Sequence, residues 1–220
     1  MRYIVSLPLT GADGTPKELF SDDPALIARF IKAEDRPGRG VYECINPLVP
    51  GARRRCLETV ADLQRIYFDL DLQHIEQTRE QVLNRLAKLP FEFASVRDSG
   101  SGNLHLISEI KDPPQRDTPE YTQAVEIWKR LAEKLAADPA PTHPAALIRC
   151  VGTHNRKNGG DGLCRELTGG PLCGNGKPVD VSELGELAEL LVQPLLSRKQ
   201  TNGHDTVGGD DANKAPVDIE

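Results

Sequence analysis

The sequence predicts an α+β domain built on a largely antiparallel sheet, and three observations carry that expectation. Strand-like and helix-like stretches follow one another without the strict alternation of a parallel-sheet protein. Two apolar runs, residues 91–96 and 104–110, flank a turn that holds Gly100 and Gly102, the pattern of a hairpin. With 220 residues, 38% of them hydrophobic, the chain can build one domain with a core of ordinary size.

Taken in order, residues 2–9 alternate enough to form a strand. Asp23-Pro24 reads as an N-cap followed by proline at the first helical position, and Leu26, Ile27, Phe30 and Ile31 give the helix one apolar face. Gly38 and Gly40 punctuate the chain before a strand over 41–45, which Asn46-Pro47 ends. Residues 58–63 suit a helical turn leading into a strand over 65–70, and Val82, Leu83, Leu86 and Leu89 suit a helix over residues 76–89. The clearest helical pattern starts at Thr118-Pro119-Glu120 and puts Tyr121, Val125, Trp128, Leu131 and Leu135 on one stripe, which makes Trp128 a core residue. Strands over 146–151 and 163–167 flank a Gly-rich loop from 152 to 162. Ser182 reads as the cap of a last helix whose Leu184, Leu187, Leu190 and Leu191 pack inward.

The apolar pattern stops near residue 197. The sequence therefore divides into one folded domain over 1–196 and a disordered acidic tail or linker over 197–220. Net charge is −6, which argues against a polyanion partner until its distribution is considered. Beyond His204 five acids stand against Lys214 alone, so four of the net negative charges lie in the tail. Positive charge clusters at Arg53, Arg54 and Arg55 and again at Arg149, Arg156 and Lys157, a pattern that permits a nucleic-acid partner without demanding one. Five irregularly spaced cysteines, Cys44, Cys56, Cys150, Cys164 and Cys173, with no CxxC pair, read as reduced thiols. No apolar run approaches the roughly 20 residues that span a bilayer, and the expected location is cytoplasmic.

Three segments carry the chemistry. In Tyr67-Phe68-Asp69-Leu70-Asp71-Leu72, two carboxylates two residues apart on a strand face the same way, where they can bridge hard divalent cations such as Mg²⁺ or Mn²⁺. In Ser99-Gly100-Ser101-Gly102-Asn103-Leu104-His105, glycines leave room for a bulky anion beside a histidine fixed on a strand. In Arg149-Cys150-Val151-Gly152-Thr153-His154-Asn155-Arg156-Lys157, a strand runs into a glycine turn dense in donors, a usual way to hold phosphates. Together they point to a nucleoside triphosphate.

At these residues the chain resembles the archaeo-eukaryotic primase superfamily, especially phage and plasmid primase-polymerases. That family has a DxD on a hydrophobic strand, a Gly-x-Gly-x-His element on the next, and a third acid ahead of an Arg-x-Pro-Gly-Thr-x-Asn-x-Lys segment. The resemblance spans residues 23–167; Asn103 stands where many relatives have serine, and Cys150-Val151 replaces the residues that usually precede Gly-Thr. It implies a catalytic core with an RRM-like, largely antiparallel sheet and an N-terminal α/β half. It also implies that Asp69, Asp71 and Asp138, the last in Ala137-Asp138-Pro139, are the catalytic metal ligands, with His143 a weaker candidate. Ser101, Asn103, His105, Arg149, Thr153, Asn155 and Lys157 then bind the nucleotide. The implied activity is a primase or primase-polymerase in phage or plasmid replication, acting on nucleoside triphosphates and a single-stranded DNA template, with a helicase in trans or in a longer chain.

Two other classes remain open at this point. One is a non-catalytic replication-initiation or single-strand-binding domain, against which the full set of acids, histidine and basic residues argues. The other is a different metal-dependent phosphoryl hydrolase or nuclease. Phe-Asp-Leu-Asp also opens haloacid-dehalogenase-type phosphatases, but those continue with Gly-Thr or Gly-Val, and here Leu72-Gln73 follows. A Gly-x-x-x-x-Gly-Lys-Ser/Thr loop is absent, so this chain carries no P-loop ATPase.

Overall fold

A computed structural model describes residues 1–12, 14–168 and 176–199. Two four-stranded sheets form the frame. The first has the order β2-β1-β3-β7, built from β1 (Arg2–Pro8), β2 (Lys17–Ser21), β3 (Arg39–Cys44) and β7 (Leu147–Arg149). The second has the order β10-β5-β6-β4, built from β4 (Arg65–Leu70), β5 (Ser95–Asp98), β6 (Leu104–Glu109) and β10 (Arg165–Glu166). All of these pairings are antiparallel, as are those of the short strands β8 (His154–Asn155) and β9 (Gly162–Leu163). The α+β, largely antiparallel expectation therefore holds.

Four α-helices lie among the described residues, and their ends follow local chemistry. The Asp23 side chain accepts from the backbone N–H of Ala25 and Leu26 to start α1 (Pro24–Glu34). Thr118 does the same for α3 (Pro119–Lys134) through Tyr121. A Thr78/Gln81 capping box starts α2 (Arg79–Leu86), later than residue 76. The last helix, α4 (Val181–Leu190), is capped by Asp180 with Glu183, not by Ser182. The cause is tertiary: Val179 is held by backbone bonds to Glu109 and Lys111, so the helix begins at once after it. Leu184 and Leu187 pack inward as expected, whereas Leu190 is exposed.

Two strand expectations need correction, and one strand was missed. Residues 91–94 do not pair; Phe91 and Phe93 stack edge to face instead, and the strand begins at Ser95. The run 163–167 is split, its first part pairing with β8 and its second with β5. Strand β2 went unrecognised because it is a short edge strand whose first residues, Lys17 and Glu18, are exposed.

The main core lies beneath the second sheet, where Ile66, Phe68, Leu70, Val96, Leu104 and Leu106 meet α2, α3 and α4. Trp128 is fully buried there and its indole N–H donates to the Tyr67 carbonyl, so α3 grips the strand that carries Asp69. Asn46 joins the two sheets: its carbonyl oxygen accepts from the Arg65 N–H, and its amide donates to the carbonyls of Arg65 and Pro144.

Backbone pairing continues past residue 196. Glu76 donates to the Ser197 carbonyl at 2.9 Å and Lys199 to that of His74 at 2.8 Å, while Leu196 is buried. The rest of the expected tail, 200–220, lies outside the described residues, as does Cys173. A chain cut after Lys199 should melt as the full chain does. A cut after Leu195 should lower the melting temperature by about 2–4 °C per kcal/mol of lost packing. Equal melting of both truncations in a calorimetric scan would show that this last segment holds nothing.

Candidate active site

The site is set by the register of β4, β6 and β5. Asp69 lies opposite His105, and His105 opposite Arg97, so three polar side chains form a row across one face of the sheet. The other face of β4 is the apolar core just described. Tyr67, two residues before Asp69, lies on the polar face; its ring meets the His105 ring edge-on at 5.3 Å.

Asp69 Oδ1 is buried without a hydrogen-bond partner, and His105 Nε2 stands 3.8 Å from it. Burial first, then the charge of Asp138, pushes the Asp69 carboxyl up to about 7; Asp71 adds to the rise, while a Tyr67 hydrogen bond and Lys157 oppose it. The His105 ring is pushed down to about 3, by burial first and then by Arg97 and Arg149, so it is neutral near pH 7. Its Nδ1 also lacks a partner. Unpaired polar atoms in a buried row are costly, and their concentration here makes the row the candidate site.

Asp138 is brought in by the chain after α3, where its N–H donates to the Asp69 carbonyl at 2.8 Å. Its Oδ1 accepts from Ala140 N–H. Asp71 follows the end of β4 and caps a 3-10 turn over Leu72–His74, accepting from Gln73 N–H and Gln73 Nε2. His143 lies half-buried on the segment that follows Asp138. Asp138 and Asp71 thus both act on Asp69, and the all-oxygen donor set of the three fits a hard divalent cation. As placed, no three His, Cys, Asp or Glu side chains among the described residues form a group that could hold a metal ion. The fit is therefore one of donor chemistry and of the unpaired Asp69 oxygen.

The hairpin turn between β5 and β6 meets the 152–162 loop back to back. A Cβ added to Gly162 would fall 1.8 Å from the Gly100 carbonyl oxygen, and one on Gly100 would fall 2.2 Å from that of Gly162. Asn155 braces the contact by donating to the Ser99 carbonyl, and Arg79 braces the turn from α2 through Asp98 and the Gly102 carbonyl. From the N-terminal half, Asp35 holds the loop by accepting from His154 and Arg156.

The expected nucleotide-binding residues therefore divide. Lys157 acts electrostatically on Asp69, and Arg149 on His105, so both lie near the polar row. Arg149 is buried, with its guanidinium donating to the Tyr42 hydroxyl and the His154 carbonyl. Thr153 is fully buried and donates to the Cys150 carbonyl, and Asn155 is buried and donates to the Ser99 carbonyl of the hairpin turn. Ser101 is exposed beside Ser99, and Asn103 accepts from the Leu72 N–H just past Asp71. Sequence reasoning missed Arg97, whose only signal is a charge at a strand position that alternation turns inward.

No protein-family model matches the chain, and no curated protein sequence does. Among solved structures it is similar to the AEP domain of the cyanophage S-2L primase-polymerase (PrimPol), with a TM-score of 0.60 and 13% identity over 85% of this chain and 88% of that one. It is also similar to the primase RepB′, with a TM-score of 0.55 and 16% identity over 86% of this chain and 56% of that one. A third similar structure is the catalytic domain of primase RepB′ in complex with initiator DNA, with a TM-score of 0.55 and 17% identity over 86% and 85% of the two chains. No helix among the described residues is long and apolar enough to cross a membrane. The two-sheet frame thus shares its fold with these primase and primase-polymerase domains.

Proposed function

We propose that this chain is a metal-dependent nucleotidyltransferase of the primase-polymerase kind, which builds or extends a nucleic-acid chain from nucleoside triphosphates on a single-stranded DNA template. The observation that carries the reading is the row of Asp69 and His105, both with unpaired buried atoms, next to Asp138 in a primase fold. Asp69, Asp71 and Asp138 would hold Mg²⁺ or Mn²⁺, whose chemistry is to offset the charge of the triphosphate and to favour the attacking 3′-hydroxyl in its ionised form. His105, neutral and fixed on β6, offers an N–H to a phosphate oxygen. Lys157 and Arg149 add positive charge on the loop side. The sheet and the two braced turns keep these groups in place before substrate arrives, so little reorganisation is needed during reaction.

A RepB′ catalytic domain with initiator DNA supports a DNA template for this chain. The biological setting we infer is the replication of a phage or plasmid, in the cytoplasm, with unwinding by a helicase in trans or in a longer chain. A domain that only binds single strands has no need of a half-buried acid cluster, which favours catalysis over that alternative.

The reading is tested by titrating nucleoside triphosphate and single-stranded DNA separately against His105→Ala and Lys157→Ala. Each variant should weaken nucleotide binding by about 1.5–3 kcal/mol, the range for a charge-assisted hydrogen bond. DNA binding should change little. Unchanged nucleotide affinity in both variants would count against the roles assigned here.

A further inference from the structure

We propose that Arg97 is a ligand for the phosphates of the nucleotide, held between turnovers by Glu43, which competes with the substrate for it. The inference rests on the function proposed above and adds to it a residue and a means of tuning affinity.

Arg97 stands beside His105 in the β5–β6 register, on the side away from Asp69. Paired side chains across an antiparallel sheet lie about 5 Å apart at Cβ, so whatever meets the His105 ring is within reach of the guanidinium. The side chain is only 12% exposed. Its Nε–H donates to Ser95 Oγ at 3.2 Å and its Nη1 to Glu43 Oε1 at 3.2 Å. A guanidinium carries five N–H donors, and among the described residues the others on Arg97 have no partner.

The charge balance points the same way. Glu43 also takes Arg2 at 2.7 Å, through its other oxygen. Arg149 reaches the same neighbourhood from β7, opposite Tyr42, and no carboxylate among the described residues pairs with it. Arg97 and Arg2 thus share one carboxylate, and Arg149 stands near a ring that is itself neutral without one. Arg97 and Arg149 both act on His105 electrostatically, which places them on one site from two different sheets. Arg97 and Arg149 are largely buried, and with Glu43 divided between Arg97 and the half-exposed Arg2 their charge is only partly offset, which favours an anion beside them. The planar fork of arginine suits phosphate oxygens, and two such forks flanking a histidine suit a polyphosphate better than a single charge.

Glu43 gives the arrangement its character. Because it keeps Arg2 when Arg97 turns away, releasing Arg97 to a phosphate does not strand a buried carboxylate. Every interaction that Glu43 makes with Arg97 in the free protein is one that the substrate has to displace, so Glu43 sets affinity downward.

The experiment is equilibrium binding of a non-hydrolysable nucleoside triphosphate with Mg²⁺, together with thermal melting, for wild type, Arg97→Gln, Arg97→Lys, Glu43→Gln and the double variant. Arg97→Gln should weaken binding about tenfold to hundredfold, and Arg97→Lys should recover part of the loss. Glu43→Gln should lower the melting temperature yet bind the analogue at least as tightly as wild type. The double variant, in which neither charge is left alone, should fold and still bind weakly. If it binds as wild type does, or if Glu43→Gln weakens binding as much as Arg97→Gln, the pair is only a strut between the sheets and the inference falls. If wild type itself fails to bind the analogue, the proposed function falls first, and that outcome is distinct.

Discussion

Asp69→Asn is expected to abolish nucleotide incorporation while raising the melting temperature of the free protein above pH 7. The two effects share one cause. The Asp69 carboxyl is raised to about 7, by burial first and then by Asp138, so in the free protein its charged form is disfavoured. A group whose folded-state pKa lies above its unfolded value contributes stability that is complete below the unfolded value and is lost as pH rises through the folded one. For Asp69 that window runs from the ordinary carboxylate range, near pH 4, up to about 7. An amide of the same shape has no charge to bury, so the variant should gain on the order of a few kcal/mol at pH 8, and the gain should vanish by pH 4. On the proposed function the same substitution would also remove a metal ligand, a loss of several kcal/mol of transition-state stabilisation. Melting curves at pH 4, 6 and 8 beside an incorporation assay check both halves. A variant that keeps a tenth of wild-type incorporation, or that melts lower than wild type at pH 8, would contradict the role given to Asp69.

Gly162→Ala is expected to disable nucleotide binding by forcing two loops apart. The added carbon would meet the Gly100 carbonyl oxygen at 1.8 Å, and that atom is backbone, so it cannot swing aside as a side-chain tip would. The hairpin turn carrying Ser99 and the loop carrying Lys157 would have to separate, at a cost of about 1–3 kcal/mol. Binding would fall further, because His105 and Lys157 would no longer face one ligand. Gly152→Ala provides the comparison. Gly152 has φ of +82° but nothing within 4 Å of an added Cβ, so it should show only the smaller cost of left-handed backbone. Nucleotide titrations and melting curves of the two variants separate steric from backbone effects; equal losses in both would mean that the loop contact is not what matters.

The parts of the fold and site that were legible from sequence are those written in local patterns. The apolar run around Asp69 placed β4, and the two-residue spacing of Asp69 and Asp71 put both carboxylates on one side of it. Asp23-Pro24 and Thr118-Pro119 announced α1 and α3 because cap and first turn are adjacent in the chain. His105 and the acids stood out because charged groups within apolar runs demand a partner. What was illegible depends on contacts between distant segments. Thr153 and Asn155 look like phosphate donors in a glycine loop, yet Thr153 is buried on the Cys150 carbonyl and Asn155 on that of Ser99, where Gly162 meets Gly100. Arg97 looks like a surface charge until its register with His105 and its bond to Glu43, 54 residues away in sequence, are seen. Ser182 and Asp180 are equally good caps, and only the tie of Val179 to β6 decides between them.

The measurement that bears most directly on the whole account is a labelled-nucleotide extension assay on a single-stranded DNA of one repeated base, with Mg²⁺ or Mn²⁺, with and without a primer. The account predicts a ladder of products built only from the complementary nucleotide, absent without the divalent cation and absent in Asp69→Asn. Nucleotide hydrolysed without chain growth, DNA cut rather than extended, or binding of the DNA with no turnover in any condition would contradict it.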